Sequence, residues 1–408
     1  MKRSSLAVSL VSAVLLLILA ACSSSSSSDT GSSGSASKTP IVLGQITTVS
    51  SATFAFPNSA QAFQASVKAI NAAGGIDGRQ VQGITCNDND NPTTATQCAT
   101  KLIQQDHAVA LGGYWGVETA AVLPVAEAAK IPTFCDDALA PGQSNYSQFY
   151  SCGPATNGYG QVAMLFQKSW KKVAYVGFSG LPSDLSLVQA AQKVAGTNVT
   201  LVPINVPLTI TDWAPVAAQI KALGANAVVT QLATANDVAL VQALGAANVK
   251  VEYLQPSGSA SDQTAQLAAK AGITYEVSSS WILDPSKSAL RKQELADFTK
   301  YAPNIAANIS DATNNAWFFP QIIKLAASKG LKDFTATGIA AWASSQTDFT
   351  TGFLAPINWK DAGPLTDYPR FTTLYAMPVG FNSSGDPYLI KSQFQSLSYD
   401  TLKTLPLG

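Results

Sequence analysis

The chain has 408 residues, of which 47% are hydrophobic and only 12% charged. That much apolar material exceeds the core of one ordinary domain and predicts two. The 25 Lys and Arg residues balance 25 Asp and Glu, which gives no electrostatic reason to expect nucleic acid as a partner. A single histidine, His107, excludes a histidine-based catalytic or metal cluster within one chain.

Lys2 and Arg3 form a basic start, and Leu6 to Leu19 form an apolar stretch too short for a comfortable membrane span. Leu19-Ala20-Ala21-Cys22 follows, so residues 1–21 read as a signal peptide. A cysteine directly after Leu-Ala-Ala resembles the lipobox of bacterial lipoproteins, which implies lipidation at Cys22. Loss of Lys2 and Arg3 with the leader takes the balanced charge to −2. Ser23 to Lys38 is almost entirely Ser, Gly, Ala and Thr, and cannot bury enough apolar surface to offset its ordering entropy. Residues 22–38 are therefore expected to be a disordered tether. No second apolar run is long enough to span a bilayer, so the predicted location is the outer face of the cytoplasmic membrane, held by the lipid alone.

From Thr39 short β-branched runs alternate with longer helical patterns. Ile41 to Ile46 reads as a strand and Ser59 to Ala73 as a helix with Phe63, Val67 and Ile70 on one face. Gln80 to Cys86 is the next strand and Thr93 to Gln105 the next helix, with Leu102 and Ile103 inward. Val109 to Gly112, a helix over Thr119 to Ala129, and Ile131 to Phe134 complete the first series. A second series follows: helix Val162 to Ser169, strand Lys172 to Gly177, helix Leu185 to Val194, strand Thr200 to Val206, helix Trp213 to Leu223. Strand Ala227 to Thr230, helix Asp237 to Ala246 and strand Val251 to Leu254 end it. Leu290 to Lys300 and Ala312 to Ala327 are further helices, and the tail from Phe371 looks extended. Repeated strand–helix order predicts an α/β fold with two doubly wound, three-layer lobes. Ligands of such sheets bind beyond the carboxyl ends of the strands.

Four cysteines remain after Cys22, an even number that favours disulfides in an exported protein. Short loops close most readily, which prefers Cys86–Cys98 and Cys135–Cys152 among three possible pairings. None of the spacings is Cys-x-x-Cys, and no metal or other cofactor is expected. Asp88, Asp90 and Asn91 lie near a calcium-loop pattern, but Pro92 blocks it. No Gly-rich phosphate loop follows the first strand and no Gly-x-Ser-x-Gly turn occurs, so the protein is not expected to be an enzyme; a surface hydrolase would need an activated nucleophile.

Asn71-Ala72-Ala73-Gly74-Gly75-Ile76-Asp77-Gly78-Arg79 ends a helix and turns into a strand, and Asp88-Asn89-Asp90-Asn91-Pro92 follows that strand. With Pro124 to Glu127, Ile131-Pro132 and Pro369-Arg370-Phe371, these strings resemble the branched-chain amino-acid-binding (leucine-binding) family of ABC-transporter substrate-binding lipoproteins. The resemblance implies the type I periplasmic-binding fold, with crossovers near Thr156, Trp281 and Met377. Lobe 1 would span residues 39–156 with 282–376, and lobe 2 residues 157–281 with 377–408. It also implies a monomer that closes on a small molecule and passes it to the membrane subunits of an ABC importer. A ligand-sensing lipoprotein of the same fold is the alternative.

In that family a Ser or Thr after the third strand and a Ser-Ala-Thr stretch after the fourth hold an amino-acid zwitterion. Here Gly116 stands where the Ser is expected, within Gly113-Tyr114-Trp115-Gly116, and Leu139 stands at the Thr position, within Cys135-Asp136-Asp137-Ala138-Leu139. Leu181 and Ala233 fall where second-lobe aromatics would close. An unpaired buried zwitterion is costly, so an ordinary branched-chain amino acid is not the expected ligand. The candidate ligand residues are Tyr114, Trp115, Gly116, Asp136, Asp137, Ala138 and Leu139, with Ser179 and Ser257 from lobe 2; Ser259 is a further hydroxyl. Aromatics beside carboxylates suit a cation or a flat hydrogen-bonding solute. The expected ligand class is an amino-acid-like, amide, amine or aromatic solute.

Overall fold

A strand covered by helices on both sides is buried on both faces, and β1 (Ile41–Thr47) is: all but one of its seven residues are buried, Gln45 and Thr47 among them. The computed structural model describes residues 38–51, 55–136, 145–152, 170–179, 199–256, 260–279, 281–305, 310–361, 370, 375–381, 387–389 and 395–396. Strand β1 is flanked by β2 (Val81–Asn87) and β3 (Ala110–Gly112), followed by β4 (Thr133–Phe134) and β5 (Phe149–Tyr150). All five are parallel, in the order β2-β1-β3-β4-β5. The intervening helices are α1 (Pro57–Ala72), α2 (Pro92–Gln104) and α3 (Thr119–Ala129). Pro57 and Pro92 sit in their first turns, where a missing N–H costs nothing, and Asn91 caps α2 by accepting from Thr94 N.

The second sheet contains β6 (Lys172–Phe178), β7 (Thr200–Val206), β8 (Ala227–Gln231), β9 (Glu252–Pro256) and β10 (Thr274–Ser279), all parallel. Helices α4 (Ala214–Leu223), α5 (Thr234–Ala246) and α6 (Asp262–Ala271) connect its later strands. The chain then returns through α7 (Ala289–Tyr301), α8 (Asp311–Ser328) and α9 (Ala336–Ala343). Strand β11 (Tyr375–Phe381) pairs antiparallel with β10, and β12 (Pro387–Leu389) and β13 (Gln395–Ser396) pair with β11. The order is β12-β11-β10-β9-β8-β6-β7, with β13 beside β11. Both sheets belong to one compact unit that begins at Lys38. The doubly wound α/β class read from the sequence is therefore the observed one.

Three apolar clusters among the described residues underlie this division, two on the first sheet and one on the second; the one around Ile46, Leu102, Leu111 and Val122 lies under α2 and α3. Phe63 of α1, Phe134 of β4 and Phe319 of α8 stack in the other first-sheet cluster, where α8 returns to cover the first sheet. Val176, Val228, Leu240 and Tyr253 are fully buried in the second-sheet cluster. Trp281, just after β10, packs its ring on Phe318 and Phe353 of the cluster beneath α8. Phe63, Val67, Ile70 and Leu102 face inward as expected, but Ile103 is only half-buried, because it points into the groove between α2 and α3. Helix α6, strand β10 and helix α9 were not anticipated. The expected helices over 162–169 and 185–194 lie outside the described residues.

Both preferred disulfides are present, Cys86–Cys98 between β2 and α2 and Cys135–Cys152 between the ends of β4 and β5. Each closes a short loop, 12 and 17 residues apart in sequence. Replacing Cys135 and Cys152 together by serine is expected to lower stability by about 3 kcal/mol in urea unfolding. An unchanged midpoint would show that this link does not brace the fold.

Candidate functional site

The carboxyl edge of the first sheet is held by one buried carboxyl group. Asp88, the residue after β2, is fully buried. It accepts hydrogen bonds from Thr48 Oγ1 at 2.7 Å, Tyr114 Oη at 2.8 Å and the Asp90 backbone N at 3.1 Å. Tyr114 Oη in turn accepts from Glu118 N at 2.8 Å. Burial first, then the adjacent Asp88, drives the tyrosine hydroxyl far above its ordinary pKa, so it stays a donor. The three loops after β1, β2 and β3 thus meet at one carboxyl group.

The loop over residues 113–118 is tied at every turn. Gln45 Nε2 donates to Gly113 O at 3.2 Å and to Ser59 Oγ at 3.0 Å, so a polar side chain inside β1 links the loop to the start of α1. Thr47 Oγ1 donates to Trp115 O at 3.0 Å, and Asp136 accepts from Tyr114 N at 2.9 Å. Gly113 adopts φ +63° and packs so closely that a Cβ would lie 2.8 Å from Ala316 Cα of α8. Gly116 is equally confined: a Cβ there would meet Tyr114 Oη at 2.7 Å and Thr48 Oγ1 at 2.9 Å. Trp115 remains half-buried, its ring edge-to-face with half-buried Phe56 at 6.5 Å.

The second sheet carries an analogous network. Asp237, in the first turn of α5, is fully buried and accepts from Tyr253 Oη at 2.6 Å and Gln255 Nε2 at 2.8 Å. Tyr275 Oη donates to Gln255 Oε1 at 2.6 Å. Burial and then Asp237 raise the Tyr253 hydroxyl well above its usual pKa. No group of three His, Cys, Asp or Glu side chains among the described residues could hold a metal ion, and no described helix is long and apolar enough to cross a membrane.

A family model described as "Periplasmic binding protein" matches residues 40–370. The chain belongs to that periplasmic binding protein family. No curated protein sequence matches it. Among solved structures, a fatty acid ABC transporter substrate-binding protein from Thermomonospora curvata is 17% identical, with a TM-score of 0.71 over 90% of this chain and 95% of that one. An ABC transporter substrate-binding protein from Aeropyrum pernix is 14% identical, with a TM-score of 0.72 over 90% and 100%. The branched-chain amino acid transporter substrate-binding protein LivJ from Streptococcus pneumoniae, in complex with isoleucine, is 17% identical, with a TM-score of 0.66 over 88% and 99%. The shared fold is the type I periplasmic-binding fold, and the family is the one that the Asn71 to Arg79 and Asp88 to Pro92 strings resemble.

In this periplasmic binding protein, Tyr114, Trp115, Gly116 and Asp136 come together at the first-sheet edge. Tyr114 (2% exposed) and Asp136 (6% exposed) face into the lobe, with the tyrosine hydroxyl spent on Asp88 and Glu118. Ser179 is exposed just after β6, its N–H donating to Val206 O at 2.8 Å. Asp137, Ala138, Leu139, Leu181, Ser257, Ser259 and Cys22 lie outside the described residues. Sequence reading passed over Gln45, Thr48, Asp88 and Asp237 as site-building residues. Asp88 enters the sequence reading within the family-like Asp88 to Pro92 string and as a rejected calcium-loop residue, although its place directly after a strand was the usable signal for a site-building role.

Burial raises the Asp136 carboxyl from 3.8 to about 7, against the opposing hydrogen bond from Tyr114 N–H. A carboxyl group raised on folding binds its proton more tightly in the folded state. Its contribution to stability is complete below the unfolded value and is lost as pH rises through about 7. Asp136→Asn, which keeps an oxygen for Tyr114 N–H, is expected to be the more stable protein at pH 8, by about 3 kcal/mol, and to match wild type near pH 4. Parallel melting-temperature profiles from pH 4 to 8 would contradict this assignment.

Proposed function

We propose that this chain is an extracytoplasmic receptor that captures a small molecule between two lobes and delivers it, unaltered, to the membrane subunits of an ATP-driven importer. In this reading lobe 1 comprises residues 39–156 and 282–376, lobe 2 comprises 157–281 and 377–408, and a lipid on Cys22 tethers the monomer to the membrane. The observation that carries the proposal is a pair of parallel sheets in a periplasmic binding protein, the first ending at its carboxyl edge in a braced, non-catalytic loop cluster. The hydroxyl and carboxyl groups of that cluster bond to backbone or to one another, an arrangement suited to a rigid recognition surface. The Thermomonospora and Aeropyrum proteins, both ABC-transporter substrate-binding proteins, support the same reading.

Branched-chain amino acids are not the proposed cargo. The packing at Gly116 leaves no room for a hydroxyl-bearing side chain, so the loop after β3 offers no side-chain clamp for a carboxylate at that position. Thermal-shift screening of the full chain against amino acids, amides, amines and aromatic acids tests the proposal, because a selective ligand stabilises by mass action. L-Leucine is expected to leave the melting temperature unchanged, and a shift of several degrees with leucine would overturn this reading of Gly116. Cys22→Ser is expected to move the protein from the membrane to the soluble fraction of fractionated cells. Retention in the membrane fraction would remove the lipid anchor from the account.

A further inference from the structure

We propose that the Cys135–Cys152 disulfide is a positioning element of the solute site: it holds Cys135 in a left-handed turn that brings the Asp136 carboxyl group onto the recognition loop. The inference rests on the receptor reading above and adds to it a task in capture for one of the two disulfides.

Left-handed backbone is costly for most L side chains, Asn and Asp being the usual exceptions, and it recurs where helices end. Seven non-glycine residues among the described ones have positive φ. Asp77, Asn89, Asp90 and Asn248 are of the tolerant types, Lys130 caps the end of α3, and His107 follows the end of α2. Cys135, at φ +57°, belongs to neither group. Strain of this kind persists only where the surroundings over-determine it, and it gathers at functional sites.

Cys135 is fixed from two sides. Its N–H donates to Tyr150 O of β5 at 3.2 Å, and its Sγ is bonded to Cys152, with both cysteines buried. The turn decides what meets the end of β3. Gly113 N donates to Phe134 O at 2.8 Å, and the next amide, Tyr114 N, donates to the Asp136 side chain at 2.9 Å. Asp136 continues with its carboxyl group what β4 begins with its backbone, and Cys135 is the one residue between the two contacts. The amides held in this way begin the 113–118 loop. In the receptor reading the lobes divide at residue 156, just beyond Cys152, so the bond also ties this loop to the chain that leaves lobe 1.

The other disulfide is placed differently. Cys86 lies within β2, opposite Ile46 of β1, and Cys98 lies within α2. Regular structure holds both when their bond is removed.

Three paired variants of the full chain separate the roles: Cys135→Ser with Cys152→Ser, Cys135→Gly with Cys152→Ser, and Cys86→Ser with Cys98→Ser. The first two lose the same cross-link, but glycine adopts the left-handed turn without steric cost. Hydrogen exchange over residues 113–118, read by mass spectrometry with β8 as the reference for global opening, should quicken about tenfold in the first variant. The glycine variant should recover most of that protection, and loss of Cys86–Cys98 should leave the segment as in wild type. Asp136→Ala, which keeps the disulfide, should quicken the segment as much as the first variant does. A glycine variant that folds where the serine variant does not would be the same rescue. Unchanged exchange in the serine variant, no rescue by glycine, or equal acceleration on loss of Cys86–Cys98 would overturn the inference. The amino acids, amides, amines and aromatic acids of the thermal-shift screen supply the functional arm. A compound that stabilises wild type should bind the serine variant about tenfold more weakly and the glycine variant nearly as well as wild type. Equal binding by all of them would overturn the task in capture. If no compound stabilises wild type while the exchange differences hold, the receptor reading loses its support and the positioning of Asp136 stands.

Discussion

Asp88→Ala is expected to destabilise the protein by about 3–5 kcal/mol, because it leaves several buried donors without their acceptor at once. Thr48 Oγ1, Tyr114 Oη and Asp90 N all converge on this one side chain, and Thr48 and Tyr114 are buried like Asp88 itself, while Asp90 is half-buried. The loss should be strongly coupled to Tyr114→Phe, which removes one donor of the same network. A double-mutant cycle in urea unfolding is expected to give a coupling of about 1–3 kcal/mol. Additive losses would mean that Asp88 and Tyr114 act independently, and the picture of three loops meeting at one carboxyl group would be wrong. Ligand affinity should fall with the same variants, since both ends of the 113–118 loop are fixed through this network.

Gly113→Ala is expected to cost about 2–5 kcal/mol, the sum of a left-handed backbone penalty and a clash that cannot relax cheaply. The obstructing atom is Ala316 Cα, part of the backbone of α8, and not the end of a flexible side chain. Gly74→Ala is the control: its φ is +94°, but nothing lies within 4 Å of the added Cβ. It should therefore lose about 1–2 kcal/mol from conformation alone. Equal losses in the two variants would show that α8 does not press on the end of β3. The comparison isolates packing from backbone freedom at the point where the recognition loop leaves the sheet.

The lobes were legible in the sequence because period and punctuation agree there. Ile41 to Ile46 is apolar apart from Gln45; Phe63, Val67 and Ile70 repeat at helical spacing, and Gly74-Gly75 marks the stop. Helix α6 was missed because its apolar residues are mostly alanine, which give a weak stripe; its Ser261 cap, accepting from Thr264 N, was the available signal. Helix α9 is short and rich in alanine, and its burial comes from Ile339 and Ala343 docking on a core made elsewhere. The disulfide pairing followed from loop length alone.

The site was legible only as a location. Strand ends pointed to Tyr114, Trp115 and Asp136, but not to which of them faces inward. That depends on Asp88 arriving from another strand and on the space denied to a side chain at Gly116, which are long-range facts absent from any local pattern. Gln45 and Asp237 are buried polar residues within regular elements, where an apolar residue is the default expectation. Their partners lie 14 to 68 residues away for Gln45 and 16 to 18 for Asp237.

Solution X-ray scattering of the full chain, with and without the solute that gives the largest thermal shift, tests the central mechanical claim. Closure of two lobes on their cargo should reduce the radius of gyration on binding, and the solute recovered afterwards should be chemically intact. An unchanged radius at saturation, or recovery of a converted product, would contradict a receptor that works by hinged capture.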